Sequence, residues 1–296
     1  MANAVTTISP LFATPYLTLA EFKQAPTAVD VDDLVGGGTQ AINDQELTNV
    51  IGRASSWMDS HCGQVLASTT DTEAFRARVD RQGFLKVHPR YSPITELVAL
   101  SYGPLPSLMA SVDTSTVWIE QDTLVAPLQG ISSAFSNGPI QFAGNYSVTQ
   151  EQFVSVTYVN GYANTALSAS VAASVTSLPV KDLAGFVPNA QFQIYDGSST
   201  ELLTVSSSFV STSGAGNLTL KSATSYSHTS SISVSALPPA IKQACIYMTS
   251  ALLKSRGNAA LVMNSIQPGL VQGENPSINN DLMNAFDLLR PFRRIR

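Results

Sequence analysis

The sequence has 296 residues and a formal net charge of −5, and only 12% of its residues are charged. This charged share is about half that of an average globular protein. The acidic balance argues against a protein that holds DNA by neutralising its phosphates. The sequence contains no run of about 18 apolar residues, so no membrane-spanning helix is predicted. A surface with few charges and many hydroxyls is typical of proteins that pack against neighbours and of β-rich viral or extracellular proteins. The length predicts two or three modules.

The first predicted element is a short helix. Thr18 and Glu21 have the spacing of a capping box, in which each side chain accepts a hydrogen bond from the other residue's backbone N–H. Pro26 disfavours helical backbone in the residue before it, so the helix is expected to end before this proline. The following segment, Asp30–Gly38, contains three aspartates and three glycines and predicts an exposed loop.

A longer amphipathic helix is predicted next. Asn43 and Glu46 repeat the capping-box spacing and predict that this helix begins after Asn43. Gly63 predicts its end, because glycine readily adopts the left-handed backbone that closes many helices. The apolar residues recur at intervals of three and four, which places them on one helical face. They are Leu47, Val50, Ile51, Ala54 and Met58.

From Thr72 onward the apolar period changes to two, which predicts β-strands. Phe75, Ala77 and Val79 alternate with charged residues, and the turn residues that end at Gly83 predict a hairpin. Further strands are predicted at Ile94–Tyr102, at Trp118–Val125 as a hairpin turning at Gln121-Asp122, and at Gln152–Tyr158.

Residues 166–236 differ in composition, since only five of them are charged. Evenly spaced short strands with turns between them are typical of a small barrel or sandwich. We predict that this segment is a β module inserted into a parent fold. Its strands are predicted at Val175–Val180, Gln191–Tyr195, Glu201–Ser206, Asn217–Leu220 and Ser231–Val234.

Helical periodicity returns after Pro239. One apolar face is formed by Ile241, Ala244, Cys245, Met248 and Leu252. A last helix is predicted to start near Asn279 or Asn280, to carry Leu282, Phe286 and Leu289, and to end before Pro291. Each of these helices is too short to be stable alone, so we expect helices from both ends of the chain to bury their apolar faces against one another.

The predicted fold class is therefore α+β. A discontinuous helical module combines residues 1–65 and 237–296 from both chain ends. Residues 66–165 form a central region of β-hairpins and strands, which we expect to project as an arm or to form a separate layer. Residues 166–236 form the inserted small β-barrel or sandwich module.

The sequence offers no pattern that predicts catalysis. His61, His88 and His228 lie in different predicted modules, and none has a partner at the spacing of metal ligands. The two cysteines, Cys62 and Cys245, are predicted to be small buried residues. No nucleophile elbow and no phosphate-binding glycine motif is present. We therefore expect a protein that is not an enzyme and that needs no cofactor and no metal.

The last residues of the chain are the one locally basic segment. Arginine suits bidentate ion pairs with carboxylates, and interleaved apolar residues favour a protein groove over bare phosphate. We predict that this segment docks onto a partner. The predicted docking residues are Arg290, Phe292, Arg293, Arg294 and Arg296.

Four segments together resemble the head–tail connector (head-completion adaptor) family of tailed bacteriophages. The resemblance covers roughly residues 16–102 and 237–296, whereas the minimal members of the family lack an insert such as residues 174–236. The segments that carry it are Tyr16–Lys23, Arg76–Leu85, Leu237–Ala244 and Leu288–Arg294.

This resemblance implies a virion structural protein. Family members form a ring, usually dodecameric, beneath the portal protein. The ring extends the DNA channel and supports the stopper or tail-completion protein, and the viral DNA passes through without sequence-specific binding. In that setting, we expect the C-terminal arginines to dock onto the portal. Met1–Pro10 lacks the pattern of a signal peptide, so we expect synthesis in the host bacterial cytoplasm, no membrane association, and a final location at the head–tail interface.

Two alternative functions remain open from the sequence. The chain could be another phage tail protein, such as a tail terminator, baseplate or decoration protein. Alternatively, the inserted module could bind host carbohydrate, since it is poor in charge and contains Tyr195 and Tyr226.

Overall fold

The computed structural model describes residues 15–27, 29–80, 83–127, 151–255 and 276–294. They form an α+β fold, as predicted. The chain divides into two compact units. One is Thr69–Gly161, and the other combines the described parts of Pro10–Ser68 and Tyr162–Arg296.

Helices from both ends of the chain share one hydrophobic core, as the apolar periodicity predicted. In the described ranges the α-helices are α1 (Leu19–Gln24), α2 (Gln40–Cys62), α3 (Pro239–Lys254) and α4 (Pro276–Leu289). Most of the stability of protein helices comes from packing of an apolar face, so this shared core is what holds them folded. Fully buried members from the two ends are Leu47, Ile51, Met58, Ile241, Cys245, Met248 and Leu289.

The first capping box is confirmed. The Glu21 backbone N–H donates to Thr18 Oγ1 over 3.3 Å, and the Thr18 N–H donates to Glu21 Oε2 over 2.6 Å. The α2 end is also confirmed, because Gly63 has a left-handed φ of 68°.

The second capping box was wrong. Helix α2 begins earlier, at Gln40, and Asn43 is a buried residue inside it. The Asn43 side chain instead accepts a hydrogen bond from the Val35 N–H over 2.9 Å and donates one to the Asp32 carbonyl. These bonds hold the preceding loop against the helix, and they satisfy loop backbone groups that would otherwise lack partners.

Helix α4 also begins earlier than the predicted start near Asn279 or Asn280. It starts at Pro276, and a proline is well tolerated in the first helical turn because that position needs no N–H donor. Leu282 and Leu289 are buried on its inner face, as predicted.

The first unit is a seven-stranded antiparallel sheet in the order β4-β3-β7-β1-β2-β6-β5. Its strands are β1 (Thr69–Val79), β2 (Phe84–Val87), β3 (Ile94–Leu105), β4 (Leu108–Ser111), β5 (Trp118–Glu120), β6 (Thr123–Pro127) and β7 (Glu151–Asn160). The predicted hairpins β1–β2 and β5–β6 are confirmed, and β4 was not predicted.

This sheet is strongly curled. Strands β4 and β5 are its two edges, yet the chain between Ser111 and Trp118 can span at most about 25 Å. A flat sheet of this size would separate its edge strands by about 29 Å. The short connection includes a 3-10 turn at Thr114–Thr116, which shortens it further. Curling lets Val112 and Val117 of this connection pack against the sheet's core.

The second β region is a closed barrel within the second unit. Four strands pair in the order β11-β10-β13-β8, and two pair as β12-β9. The groups are joined on both sides, because Leu167 bridges Val180 and Val205 bridges Leu220. The prediction of a small barrel or sandwich is thereby resolved as a barrel. Its strands are β8 (Asn164–Ala166), β9 (Ser177–Val180), β10 (Gln191–Tyr195), β11 (Glu201–Thr204), β12 (Gly216–Thr219) and β13 (Ser233–Ser235).

Candidate docking surface

The C-terminal segment folds back onto the end of α2. The Arg294 N–H donates to the Cys62 carbonyl over 2.8 Å, and Gln64 Nε2 donates to the Phe292 carbonyl over 3.1 Å. Arg294 Nε donates to Gln64 Oε1 over 3.2 Å. The last carbonyls of a helix have no intrahelical donor, so the Arg294 N–H supplies the donor that the Cys62 carbonyl would otherwise lack. We call these four residues the C-terminal clasp: Cys62, Gln64, Phe292 and Arg294.

The structure divides the predicted docking residues into two groups. Phe292 is half-buried, with its ring edge-on to Tyr162 at 6.4 Å, and Arg294 is half-buried in the clasp. Arg290 and Arg293 are exposed. Arg296 lies outside the described residues. A role in docking stays a prediction for all of them, but only Arg290 and Arg293 are seen with side chains turned to solvent.

Aromatic stacking further joins α4 to α2. The rings of His61 and Phe286 lie 4.3 Å apart at an interplanar angle of 24°. Burial lowers the pKa of His61, and the nearby positive charge of Arg293 lowers it further. The Arg293 charge therefore acts on His61 near the C-terminal end of α2.

A buried ion pair connects the two ends of the chain and the barrel. Lys242 Nζ of α3 donates to Glu21 Oε1 over 2.6 Å and to Ser233 Oγ over 3.2 Å. The same ammonium lies 4.0 Å from the centre of the Tyr195 ring. Burial lowers the pKa of Lys242, while the Glu21 carboxylate opposes that shift. We call this group the lysine hub: Glu21, Tyr195, Ser233 and Lys242.

The barrel contains a second buried charged cluster. His228 has a fully buried side chain, with Nδ1 at 2.9 Å from Asp196 Oδ2 and Nε2 at 2.8 Å from Glu201 Oε1. One ring nitrogen of His228 therefore faces each of the two carboxylates. Burial tends to raise the pKa of Glu201, but hydrogen bonds from His228, Ser225 and the backbone of Tyr226 bring it below its ordinary value.

Sequence reasoning missed both charged clusters. It identified His228 and the capping role of Glu21 but assigned no partner to His228 and none to Lys242. The partners are far apart in sequence, at separations of 221 residues for Lys242 and Glu21 and of 32 and 27 residues within the barrel cluster. The sequence did contain one usable signal. Charged residues are rare in 166–236, and a charged residue in such a segment is often paired with another.

A third polar contact holds the segment before α1. The Tyr16 hydroxyl donates to Asp59 Oδ1 and accepts from the Leu66 N–H over 2.9 Å. Burial raises the pKa of Asp59 to about 6, although the bonds from Tyr16 and the Leu66 backbone act in the opposite direction. This contact attaches residue 16 to α2 and to the chain that leaves it.

The described ranges show neither a metal site nor an accessible thiol. In these ranges no group of three or more histidine, cysteine, aspartate or glutamate side chains is placed to hold a metal ion. Cys62 and Cys245 are free and buried, as predicted, and burial raises the pKa of each thiol to about 12. None of the helices in the described part of the chain is long and apolar enough to cross a membrane.

Comparison with known proteins gives little similarity. No protein-family model matches the chain, and no curated protein matches it. A solved structure described as "Neck of empty GTA particle computed with C6 symmetry" aligns with 100% of this chain and 97% of its own. The alignment has 12% sequence identity and a TM-score of 0.40. Similarity at this level carries no argument about function.

Proposed function

We propose that this chain is a virion structural protein, a head–tail connector subunit that forms a ring beneath the portal of a tailed bacteriophage. In this role it extends the DNA channel and supports the stopper or tail protein. The proposal also holds that the chain is not an enzyme. Its function is to present surfaces to neighbouring proteins.

The observation that carries this proposal is the lysine hub. Two of the segments that carry the family resemblance, Tyr16–Lys23 and Leu237–Ala244, supply Glu21 and Lys242. These residues form a buried ion pair over 2.6 Å. Two segments that resemble the family thus meet in one helical core from both chain ends, which supports the proposal.

The surface composition agrees with a protein that works by packing against others. With 12% charged residues and a net charge of −5, the chain has few groups that would hold DNA by its phosphates. DNA could therefore slide past a ring of such subunits. The exposed Arg290 and Arg293 are the basic groups that we propose for docking.

Carbohydrate binding by the barrel has weaker support. Tyr226 is exposed, but Tyr195 faces the Lys242 ammonium and is half-buried in the lysine hub. A sugar site built on stacked aromatic rings needs more than one accessible ring. A glycan array probed with the full chain tests this alternative, and specific binding would favour it over a purely structural role.

The test of the connector function is mass-resolved imaging of the purified chain, alone and mixed with the portal protein of its phage. We expect a closed ring, either of the chain alone or formed on the portal. A chain that stays monomeric and does not bind the portal would contradict the connector role. It would favour another tail or baseplate part.

A further inference from the structure

Two exposed surfaces in the second unit have complementary charge and apolar character. The first, the arginine ridge, consists of Met283, Arg290 and Arg293. The second, which we call the acidic groove, combines apolar lining residues with the aspartates of the loop that supplies Val35, which we call its rim. Its members are Val35, Ala41 and Ile42, and Asp30, Asp32 and Asp33. The arginines of the ridge and the aspartates of the groove were already named from the sequence. Neither surface belongs to the C-terminal clasp, the lysine hub or the His228 cluster.

The arginine ridge lies on the outward side of α4 and the turn that follows it. Met283 is 63% exposed, an unusual exposure for a large apolar side chain. Arg290 is seven residues further on, so it extends from the same side of the helix. Asp287 is the one acidic residue between positions 282 and 294, against three arginines. The ridge is thus an apolar knob next to a surplus of positive charge.

The acidic groove lies at the start of α2. Val35, Ala41 and Ile42 line an open cavity of about 310 Å³, together with Gln45, Glu46 and Asn49. This volume equals roughly ten water molecules' share of the liquid, which is room for one large side chain. Ile42 is 49% exposed, so the floor of the groove presents apolar surface to solvent.

Three aspartates lie in the loop that supplies Val35 to this groove. Asp30, Asp32 and Asp33 are exposed, and the loop that carries them is fixed to α2 by the Asn43 side chain. Within the described ranges, no ion pair joins these three carboxylates to a cation. Two cations of α1 and α2 are paired with other carboxylates, Lys23 with Asp44 and Arg53 with Glu46.

The two surfaces lie at opposite ends of the same helix. The clasp attaches the arginine segment to the Cys62 carbonyl at the C-terminal end of α2, whereas Ile42 lies in the first turn of that helix. The helix has 23 residues, so about 30 Å separate Ile42 from Cys62. The ridge of one copy therefore cannot reach its own groove.

We propose that the arginine ridge of one copy docks into the acidic groove of the next copy of this chain. Met283 would enter the apolar cavity, and Arg290 and Arg293 would pair with the aspartates on its rim. Two different surfaces on one subunit make a head-to-tail contact, which closes into a ring when the rotation permits it. This inference rests on the proposed function only in requiring contact between copies, and it assigns the exposed arginines to a neighbouring subunit instead of the portal.

A charge exchange tests the contact on the full chain. The ridge variant is Arg290→Glu with Arg293→Glu, and the groove variant is Asp32→Lys with Asp33→Lys. Asp30 is left in place because it accepts a hydrogen bond from the Asp32 N–H over 3.0 Å and shapes the loop. Each variant alone brings like charges together, and we expect sedimentation velocity to show self-association weakened at least about tenfold. An equal mixture should associate like the wild type, because the two variants alternate with opposite charges at every contact.

A matched control and a covalent probe accompany this experiment. Lys181→Glu with Lys221→Glu makes the same change in net charge at two exposed lysines of the barrel and should leave association unchanged. A chain with Met283→Cys and a chain with Ile42→Cys, mixed under oxidised glutathione, should form a disulfide-linked heterodimer, and the double variant should form a ladder of linked copies. The native thiols of Cys62 and Cys245 are buried and should not compete.

The outcomes separate this inference from the connector function. Restored association in the mixture, together with the specific disulfide, supports the ridge-in-groove contact. Normal association of the ridge variant overturns it, as does a mixture that fails to recover while both variants remain folded by circular dichroism. A wild-type chain that stays monomeric both alone and with the portal also overturns it, as does a cysteine pair that does not cross-link under either condition. A ridge variant that forms rings but no longer binds the portal assigns the arginines to the portal and leaves the connector function intact.

Discussion

The helical core and the barrel both bury charged side chains, but they connect very different parts of the chain. In the helical core Lys242 meets Glu21 across a sequence separation of 221 residues. In the barrel His228 meets carboxylates that are 32 and 27 residues away. The first cluster joins the two chain ends, and the second closes one small module on itself. Loss of the first should therefore affect the whole second unit, whereas loss of the second should remain local.

The two regions should also respond to pH with opposite signs. The lowered pKa of Glu201 means that the folded barrel binds fewer protons than the unfolded chain in acid, so its contribution to stability is lost as the pH falls. The raised pKa of Asp59 in α2 has the reverse effect, because the folded state holds a proton that the unfolded state has already released. A pH series can thus distinguish the regions without any substitution.

The largest expected effect comes from breaking the lysine hub. Glu21→Ala leaves the Lys242 ammonium buried without its carboxylate, and removal of one partner from such a pair costs about 3–5 kcal/mol. The free energy of unfolding in urea measures this loss. The double variant Glu21→Ala with Lys242→Met should recover much of it, because no unpaired charge then stays buried.

The matched control for this change is Lys23→Ala. Its ion pair with Asp44 is partly exposed, with about a third of each side chain accessible, and such pairs are worth at most about 1 kcal/mol. If Glu21→Ala proved no more destabilising than this control, the hub would not be what connects the chain ends.

The next effect is the pH dependence that arises from Asp59. Its pKa of about 6 in the folded state lies above its ordinary value of 3.8, so folding takes up a proton between these pH values. Stability from this group is fully present below the unfolded pKa and is lost as the pH rises through about 6, by up to about 3 kcal/mol. Urea unfolding at intervals from pH 4 to pH 7 should show this decline.

Asp59→Asn is the variant that checks the assignment. The amide oxygen can still accept the Tyr16 hydroxyl proton, while the group no longer titrates. We expect the decline between pH 4 and pH 6 to flatten in this variant and the stability at pH 7 to equal or exceed that of the wild type. An unchanged pH profile would assign the decline to another group.

The smallest expected effect is in the barrel. His228→Leu removes the hydrogen bonds between His228 and two carboxylates. A hydrogen bond to a charged group contributes about 1.5–3 kcal/mol to the free energy of unfolding. Asp196 is partly exposed and can be solvated instead, which places the expected loss near the lower end of that range. Hydrogen exchange should show faster opening of β10, β11 and the chain around residue 228, with little change in α2 and α3.

Equal acceleration of exchange in the helices and the barrel would contradict the local character of this cluster. His88→Leu is a suitable control, since His88 is exposed and lies outside the barrel, with its Nδ1 at 3.1 Å from the Thr123 hydroxyl. That variant should leave exchange in the barrel unchanged.

Local patterns predicted most of the secondary structure because they depend on neighbouring residues. The capping box at Thr18, the apolar face of α2 and its end at Gly63 all follow from spacing alone. The prediction failed where a side chain bonds to the backbone of a preceding loop instead of capping its own helix. Asn43 looks like an N-cap by its spacing, but it is a buried residue that holds the Asp32 and Val35 backbone.

For the candidate docking surface, the sequence indicated the basic segment but not which part of it faces solvent. Phe292 and Arg294 are held by Tyr162, Cys62 and Gln64, and these partners are not evident from the residues nearby. The apolar groove at Ile42 and the attachment of the aspartate-bearing loop to α2 are features that only the tertiary structure shows.

The sequence by itself determined the α+β class, the helices from both ends, the hairpins and the small β module, because periodicity and capping are properties of adjacent residues. Only the tertiary structure decided that the module closes into a barrel, that Lys242 pairs with Glu21, and that the ridge and the groove lie at opposite ends of α2. These features depend on residues that meet across long loops, and the free energy of a long-range contact depends on burial and geometry that no local pattern records.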